Sequence, residues 1–129
     1  MKKLKFRAWN KITKSMIIES PISMASIIRD HIRTAYSING DIIGSEYVVM
    51  QWTGLTDRNF VDIYEDDIVK IVNKFYKVAY VDDSYMLKDL EQSRHYLGLY
   101  CYRNEAHVIG NIYENPELLN YDPRGKECQ

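Results

Sequence analysis

Asp57, Asp62, Glu65, Asp66 and Asp67 crowd one stretch of the chain. Oxygen donors at such density could hold Mg²⁺ or Ca²⁺ and so support a metal-dependent hydrolase. The spacing is not that of an EF-hand loop, and neighbours such as Asp66 and Asp67 point apart on an extended backbone. Solvated turn acids that blunt sheet edges are the better reading. No metal and no cofactor is expected, and the hydrolase stays as the weakest alternative.

A second constellation is basic and aromatic. Lys3, Lys5, Arg7 and Trp9 fall on one side of a stretch whose other side is Leu4, Phe6 and Ala8. Up to Ile18 the chain carries Lys2, Lys3, Lys5, Arg7, Lys11 and Lys14 without one acid. Such a face could meet phosphates with its cations and a base with its indole. The competing reading, and the commoner one, is a hydrated outer sheet face.

His31, His95 and His107 sit in separate segments without an i, i+4 pair, so they form no ligand set by spacing. Cys101 lies in the run Leu99-Tyr100-Cys101-Tyr102 and reads as a buried structural thiol. Cys128 is far away in a polar tail, and no CxxC spacing occurs, so neither a disulfide framework nor a zinc site is expected. There is no glycine-rich phosphate cradle, GxSxG elbow or HExxH helix. The residues point away from an enzyme.

The elements that must position these groups are strands. The chain has 129 residues, enough for one domain or two small lobes without staples. A net charge of -1 excludes a uniformly basic nucleic-acid binder but not a local patch. No signal-peptide core or transmembrane run is present, and a soluble, cytoplasmic protein is expected. Eleven tyrosines among β-branched residues favour half-buried strands, where Tyr offers an apolar body and a wet tip.

Residues 3–9 alternate with period 2, Asn10 to Lys14 has turn chemistry, and Met16-Ile17-Ile18 returns as a partner strand. Ser20-Pro21 resembles a helix start, and Met24, Ile27, Ile28 and Ile32 predict a short helix over about 23–33. Asn39-Gly40 is a hairpin signal, and Glu46 to Trp52 is a further strand. Thr53 to Asn59 is a loop where one lobe hands over to the next. The acidic turn then empties into the apolar strand 67–72, and Phe75–Val81 follows, ending at the turn Asp82-Asp83-Ser84. Leu87, Leu90 and Arg94 allow a helical turn or two around 86–95. Leu97–Arg103 and His107–Tyr113 close the strands, Asn115-Pro116 stops the last one, and the tail from Asn120 is polar. This spacing of short strands and turns means a small barrel or sandwich.

The combination of Lys5-Phe6-Arg7-Ala8-Trp9, Met50 to Asp57 continuing through Ile63 to Val69, and Val108 to Leu119 resembles the YopX family of small phage and prophage proteins. The resemblance implies an all-β fold (minor α) with an irregular N-terminal β-sheet lobe over 1–53, an SH3-like small β-barrel over 54–119, and a flexible tail over 120–129. It supplies no catalytic residues. Two glycines of the family pattern are missing: its Glu-Gly-Asp is Glu65-Asp66-Asp67 here, and its Asn-Gly is Asn59-Phe60. If those glycines hold positive φ, Asp66 or Asn59 is expected to take that conformation.

The leading functional expectation is a non-enzymatic binding or assembly module of phage or prophage, with a homo-oligomer, phage protein or host protein as partner. The basic N-terminal strand and the acidic turn could pair between subunits. Nucleic acid on the Lys3, Lys5, Arg7 and Trp9 face is the alternative. No membrane partner is expected.

Overall fold

The computed structural model describes residues 5–18, 47–92 and 94–120. The expected helix at 23–33, the Asn39-Gly40 hairpin, Lys3, His31, Cys128 and the tail beyond Asn120 lie outside the described residues. Two compact units meet in the chain between Gln51 and Trp52.

In the N-terminal unit, β1 (Phe6–Asn10) runs antiparallel between β2 (Ser15–Ile18) and the first half of β3 (Tyr47–Thr56). Ala8 stands opposite Ile17 on one side and Val49 on the other. Its methyl is fully buried under Phe6, Ile17, Tyr47 and Val49, the apolar face that the alternation announces. Asn10 makes the turn, accepting the Ile12 and Thr13 amides at 2.9 and 3.0 Å. The opposite face is a correction to the hydrated reading: Arg7 is 6 % and Trp9 is 9 % exposed. Periodicity separates two faces but does not say what covers them.

The second unit holds the rest of β3, which pairs with β4 (Asp62–Tyr64) across a register shift between Trp52 and Thr56. Gly54 sits inside that shift at φ 87°, where a side chain would be strained. The strand therefore runs past the loop expected at Thr53, ending at Thr56. Next comes a curled antiparallel sheet in the order β8-β7-β6-β5-β9. Its strands are β5 (Asp67–Ile71), β6 (Lys74–Val81), β7 (Ser84–Asp89), β8 (Tyr96–Gly98) and β9 (His107–Asn111). A single helical turn, α1 (Leu99–Tyr102), and a 3₁₀ turn at Pro116–Asn120 complete it. The fold is all-β with minor helix, built of curled antiparallel sheets.

Burial explains the strands. Ile63, Val69, Ile71, Tyr76, Val78, Leu87, Leu99 and Ala106 form one core, to which Leu55, Leu97 and Val108 add. In β5 the run Ile68-Val69 is buried on both faces, which is why it reads as continuous rather than alternating. At roughly 1.5–3 kcal/mol for each fully buried large aliphatic side chain, this cluster dominates the unit's stability.

Two expectations on the second half are corrected. The helical turns at 86–95 are instead β7 up to Asp89, because Leu87 gains cross-strand partners in Val78 and Leu97. Asp89 then closes the strand by accepting the Glu91 and Gln92 amides. The strand expected over 97–103 stops at Gly98, and Leu99-Tyr100-Cys101-Tyr102 coils instead. Leu99 and Tyr102, three apart, share the inward side. Cys101 consequently faces solvent and is not a buried thiol.

Candidate functional site

The Asp57 carboxylate organises the loop from Thr56 to Val61. One oxygen accepts the Asn59 amide at 2.8 Å and the Val61 amide at 3.0 Å; the other accepts the Val108 amide of β9 at 2.9 Å. Burial alone would raise its pKa. The Val108, Val61 and Asn59 amides, with His107 nearby, outweigh that and hold the carboxyl below its ordinary value. The Arg58 amide donates to the Ala106 carbonyl at 3.1 Å, and the Asn59 side chain meets His107 Nδ1 at 2.8 Å. The loop is thus tied to β9 and its approach at several points.

That bracing holds Phe60 in an unusual state. Its φ is 64°, and its ring is 87 % exposed. The positive φ falls on the position where the family pattern has glycine, one residue beyond the Asn59 of the sequence expectation. At the other departure, Asp66 does take positive φ, at 67°. Its side chain there gains the Tyr113 hydroxyl at 3.0 Å and the Lys77 ammonium at 3.7 Å, contacts a glycine could not make.

Beside Phe60 opens a groove of about 470 Å³, lined among others by Trp52, Leu55, Arg58, Phe60, Arg103 and Asn104. Trp52 is oriented by its Nε1–H donating to the Leu55 carbonyl at 3.0 Å. Thr53 supports the wall by donating to the Ile63 carbonyl at 2.7 Å and accepting the Leu55 amide at 3.2 Å. On the far rim, α1 is anchored by buried Leu99 and presents Arg103 just beyond its end. The Arg103 guanidinium lies over the Tyr100 ring at 4.1 Å and donates to the Tyr100 carbonyl. Tyr100 is itself exposed.

The expected site residues do not assemble into a reaction centre. Asp57 has spent its oxygens on backbone amides, and Asp67, 1 % exposed, accepts the Tyr64 amide at 2.8 Å. These two are buried backbone fasteners rather than solvated turn acids, which corrects the edge-blunting reading for them. Asp66 faces Tyr113 and Lys77, while Asp62 and Glu65 are half-buried. Among the described residues no group of His, Cys, Asp and Glu is arranged to hold a metal ion. His95 is exposed in the turn before β8, and His107 is brought to Asn59. Just before β1, Lys5 is half-buried, and within the strand Arg7 and Trp9 are buried.

Arg58, Phe60, Tyr100 and Arg103 were not among the sequence candidates. One signal was available: a bulky apolar residue standing where a turn wants glycine.

The rest of the family pattern also finds its geometry here. Gly110 lies against the Asn115 side chain, and Asn111 folds the turn between them by accepting the Tyr113 and Glu114 amides at 3.0 and 2.8 Å. Comparison with known proteins agrees. The family model described as YopX protein matches residues 5–120. Protein EF1440 of Enterococcus faecalis is 32 % identical, with a TM-score of 0.57 over 92 % of this chain and 99 % of its own. Protein yopX of Bacillus subtilis shares the fold at 16 % identity, with a TM-score of 0.56 over 95 % of this chain and 99 % of its own. No curated protein matches. With the Gly110–Asn115 turn, the glycine-derived turns at Phe60 and Asp66 and a match over nearly its whole length, the chain belongs to the YopX family.

Proposed function

We infer that the chain is a non-enzymatic binding module whose contact surface is the groove bordered by Phe60 and Arg103. The observation that carries this reading is Phe60: a large apolar side chain held 87 % exposed on a positive-φ backbone. Folding gains nothing from that placement, since the ring is hydrated and the conformation costs about 1 kcal/mol or more. Strain of this kind persists where the surroundings enforce it, and Asp57 enforces it with its bonds to the Asn59, Val61 and Val108 amides. Against an enzyme, the carboxylate that lines the groove, Asp57, is committed to those amides, and His107 Nδ1 is engaged by the Asn59 side chain.

Family membership and a 32 % identical bacterial relative support a bacterial setting. The phage or prophage origin, the cytoplasmic location and a phage or host macromolecule as partner complete the proposal. Among the described residues no helix is long and apolar enough to cross a membrane.

The test is a two-dimensional amide NMR titration of the whole chain with single-stranded and duplex oligonucleotides, an acidic peptide and a neutral apolar peptide. At least one probe is expected to shift resonances of Trp52, Arg58, Phe60 and Arg103 together. Shifts confined to other surfaces, or no shifts with any probe, overturn the reading.

A further inference from the structure

Resting on that reading, we propose that the groove takes single-stranded nucleic acid, with Phe60 and Trp52 stacking on bases and Arg58 and Arg103 meeting the phosphates. The lining supplies two guanidiniums against one carboxylate, Asp57. That carboxylate is turned into backbone amides on both oxygens, so its charge is largely compensated inside the loop. The rim therefore presents positive charge on a chain whose overall charge is -1, a local field rather than a general one.

The planar groups select the ligand class. The Phe60 ring is open to solvent, the Trp52 indole is fixed by its bond to Leu55, and the planar Arg103 guanidinium lies 4.1 Å from the centre of the Tyr100 ring. Flat faces with interleaved cations are what an unpaired strand needs, because each of its bases has a free π-face and each linkage a charge. An acidic peptide would use the arginines but would leave the aromatic faces without a planar partner. A duplex has its bases already stacked on each other, so it offers phosphates and groove edges but no free base face along its length. The volume, about 470 Å³, lies inside the roughly 300–1,000 Å³ range of ligand clefts. Stacking on aromatic faces is tolerant of sequence, because every base has a π-face.

The experiment is fluorescence anisotropy of a labelled eight-base oligothymidylate with the full chain, backed by the NMR titration above. Single strand is expected to bind more tightly than a duplex of the same length. The logarithm of affinity should fall against the logarithm of salt with a slope of about −1.4, two phosphates at about −0.7 each. Phe60→Gly should weaken binding by about tenfold or more without lowering the melting temperature, because glycine suits the backbone there. Arg58→Glu with Arg103→Glu should abolish binding, while Lys5→Glu, just before β1, should leave it unchanged. Equal binding of duplex, or loss with Lys5→Glu but not with Phe60→Gly, overturns the assignment. If the oligonucleotides leave the groove resonances still and the acidic peptide moves them, the ligand class falls and the binding surface stands. If no probe moves them, both fall.

Discussion

The Asn115 side chain lies so close to Gly110 Cα that a methyl group added there would overlap its carbonyl oxygen. Asn115 is not free to swing away, because that oxygen accepts the Asn111 amide at 3.2 Å and its own amide donates to the Asn111 carbonyl at 3.0 Å. The contact seals the end of β9, where the strand turns into the 3₁₀ helix at Pro116. Gly110→Ala must therefore displace a fastened side chain, and the expected cost is about 1–3 kcal/mol. Chemical denaturation checks it: an unchanged midpoint would mean that Asn115 moves without loss.

Val72 makes the opposite prediction. It occupies the first position of the two-residue turn between β5 and β6, with Ile71 opposite Lys74, at φ 56° and 81 % exposed. A β-branched residue is the worst tenant of that region, and this hairpin geometry favours glycine. The neighbouring hairpin, by contrast, uses Asp82 at φ 50° and Asp83 at φ 66°, residues that tolerate it. Val72→Gly should raise stability by about 0.5–1 kcal/mol after the larger chain entropy of glycine is offset. A lower melting temperature would show that Val72 is held by a contact rather than tolerated.

These turns show what the chain discloses before it is folded. Period-2 alternation in Phe6 to Asn10 and the apolar run Ile68 to Ile71 are local signals, and both are strands as expected. The exchange of glycine for Asp66 was also legible, because positive φ is a property of one position. Leu99 to Tyr102 misleads for a physical reason: aromatic residues favour strands, yet Leu99 and Tyr102 are recruited to the core at helical spacing. Burial of Arg7 and Trp9 depends on what covers a face, which alternation does not encode. The groove is least legible, since Trp52, Phe60 and Arg103 come from separate segments and converge only in three dimensions.

Lys74 and Asp89 form a test of buried charge. Asp89 is fully buried, with one oxygen taken by the Glu91 and Gln92 amides; the other has no hydrogen bond and looks to the Lys74 ammonium at 3.6 Å. Lys74 is about half exposed, so the pair itself is screened. Removing the cation nevertheless leaves a buried carboxylate oxygen without compensation. Lys74→Met should destabilise by about 1–2 kcal/mol, and Lys74→Met with Asp89→Asn should recover part of it. A double-mutant cycle by denaturation reads the coupling; a coupling near zero would mean that water serves the free oxygen.

Asp57 sets the pH dependence. Its carboxyl titrates below the ordinary value in the folded chain because the Val108, Val61 and Asn59 amides, with His107, outweigh the opposing effect of burial. A depressed folded pKa means that the ionised form is bound more tightly in the native state than in the unfolded one. The stabilisation is therefore fully present above the unfolded carboxylate value of about 3.9. It is lost progressively as pH falls through that value toward the folded pKa. Asp57→Asn retains one acceptor oxygen but puts amide hydrogens against the other backbone donor, and should cost about 2–4 kcal/mol at neutral pH. The more telling readout is the shape of the curve: between about pH 5 and pH 2 the variant should lose stability less steeply than the parent. Because this carboxylate also holds Phe60 at φ 64°, the same acidification should release the loop before the sheet melts. That would appear as faster amide exchange at Asn59 and Val61 than in β5. Parallel acid limbs for parent and variant would place the acid sensitivity elsewhere.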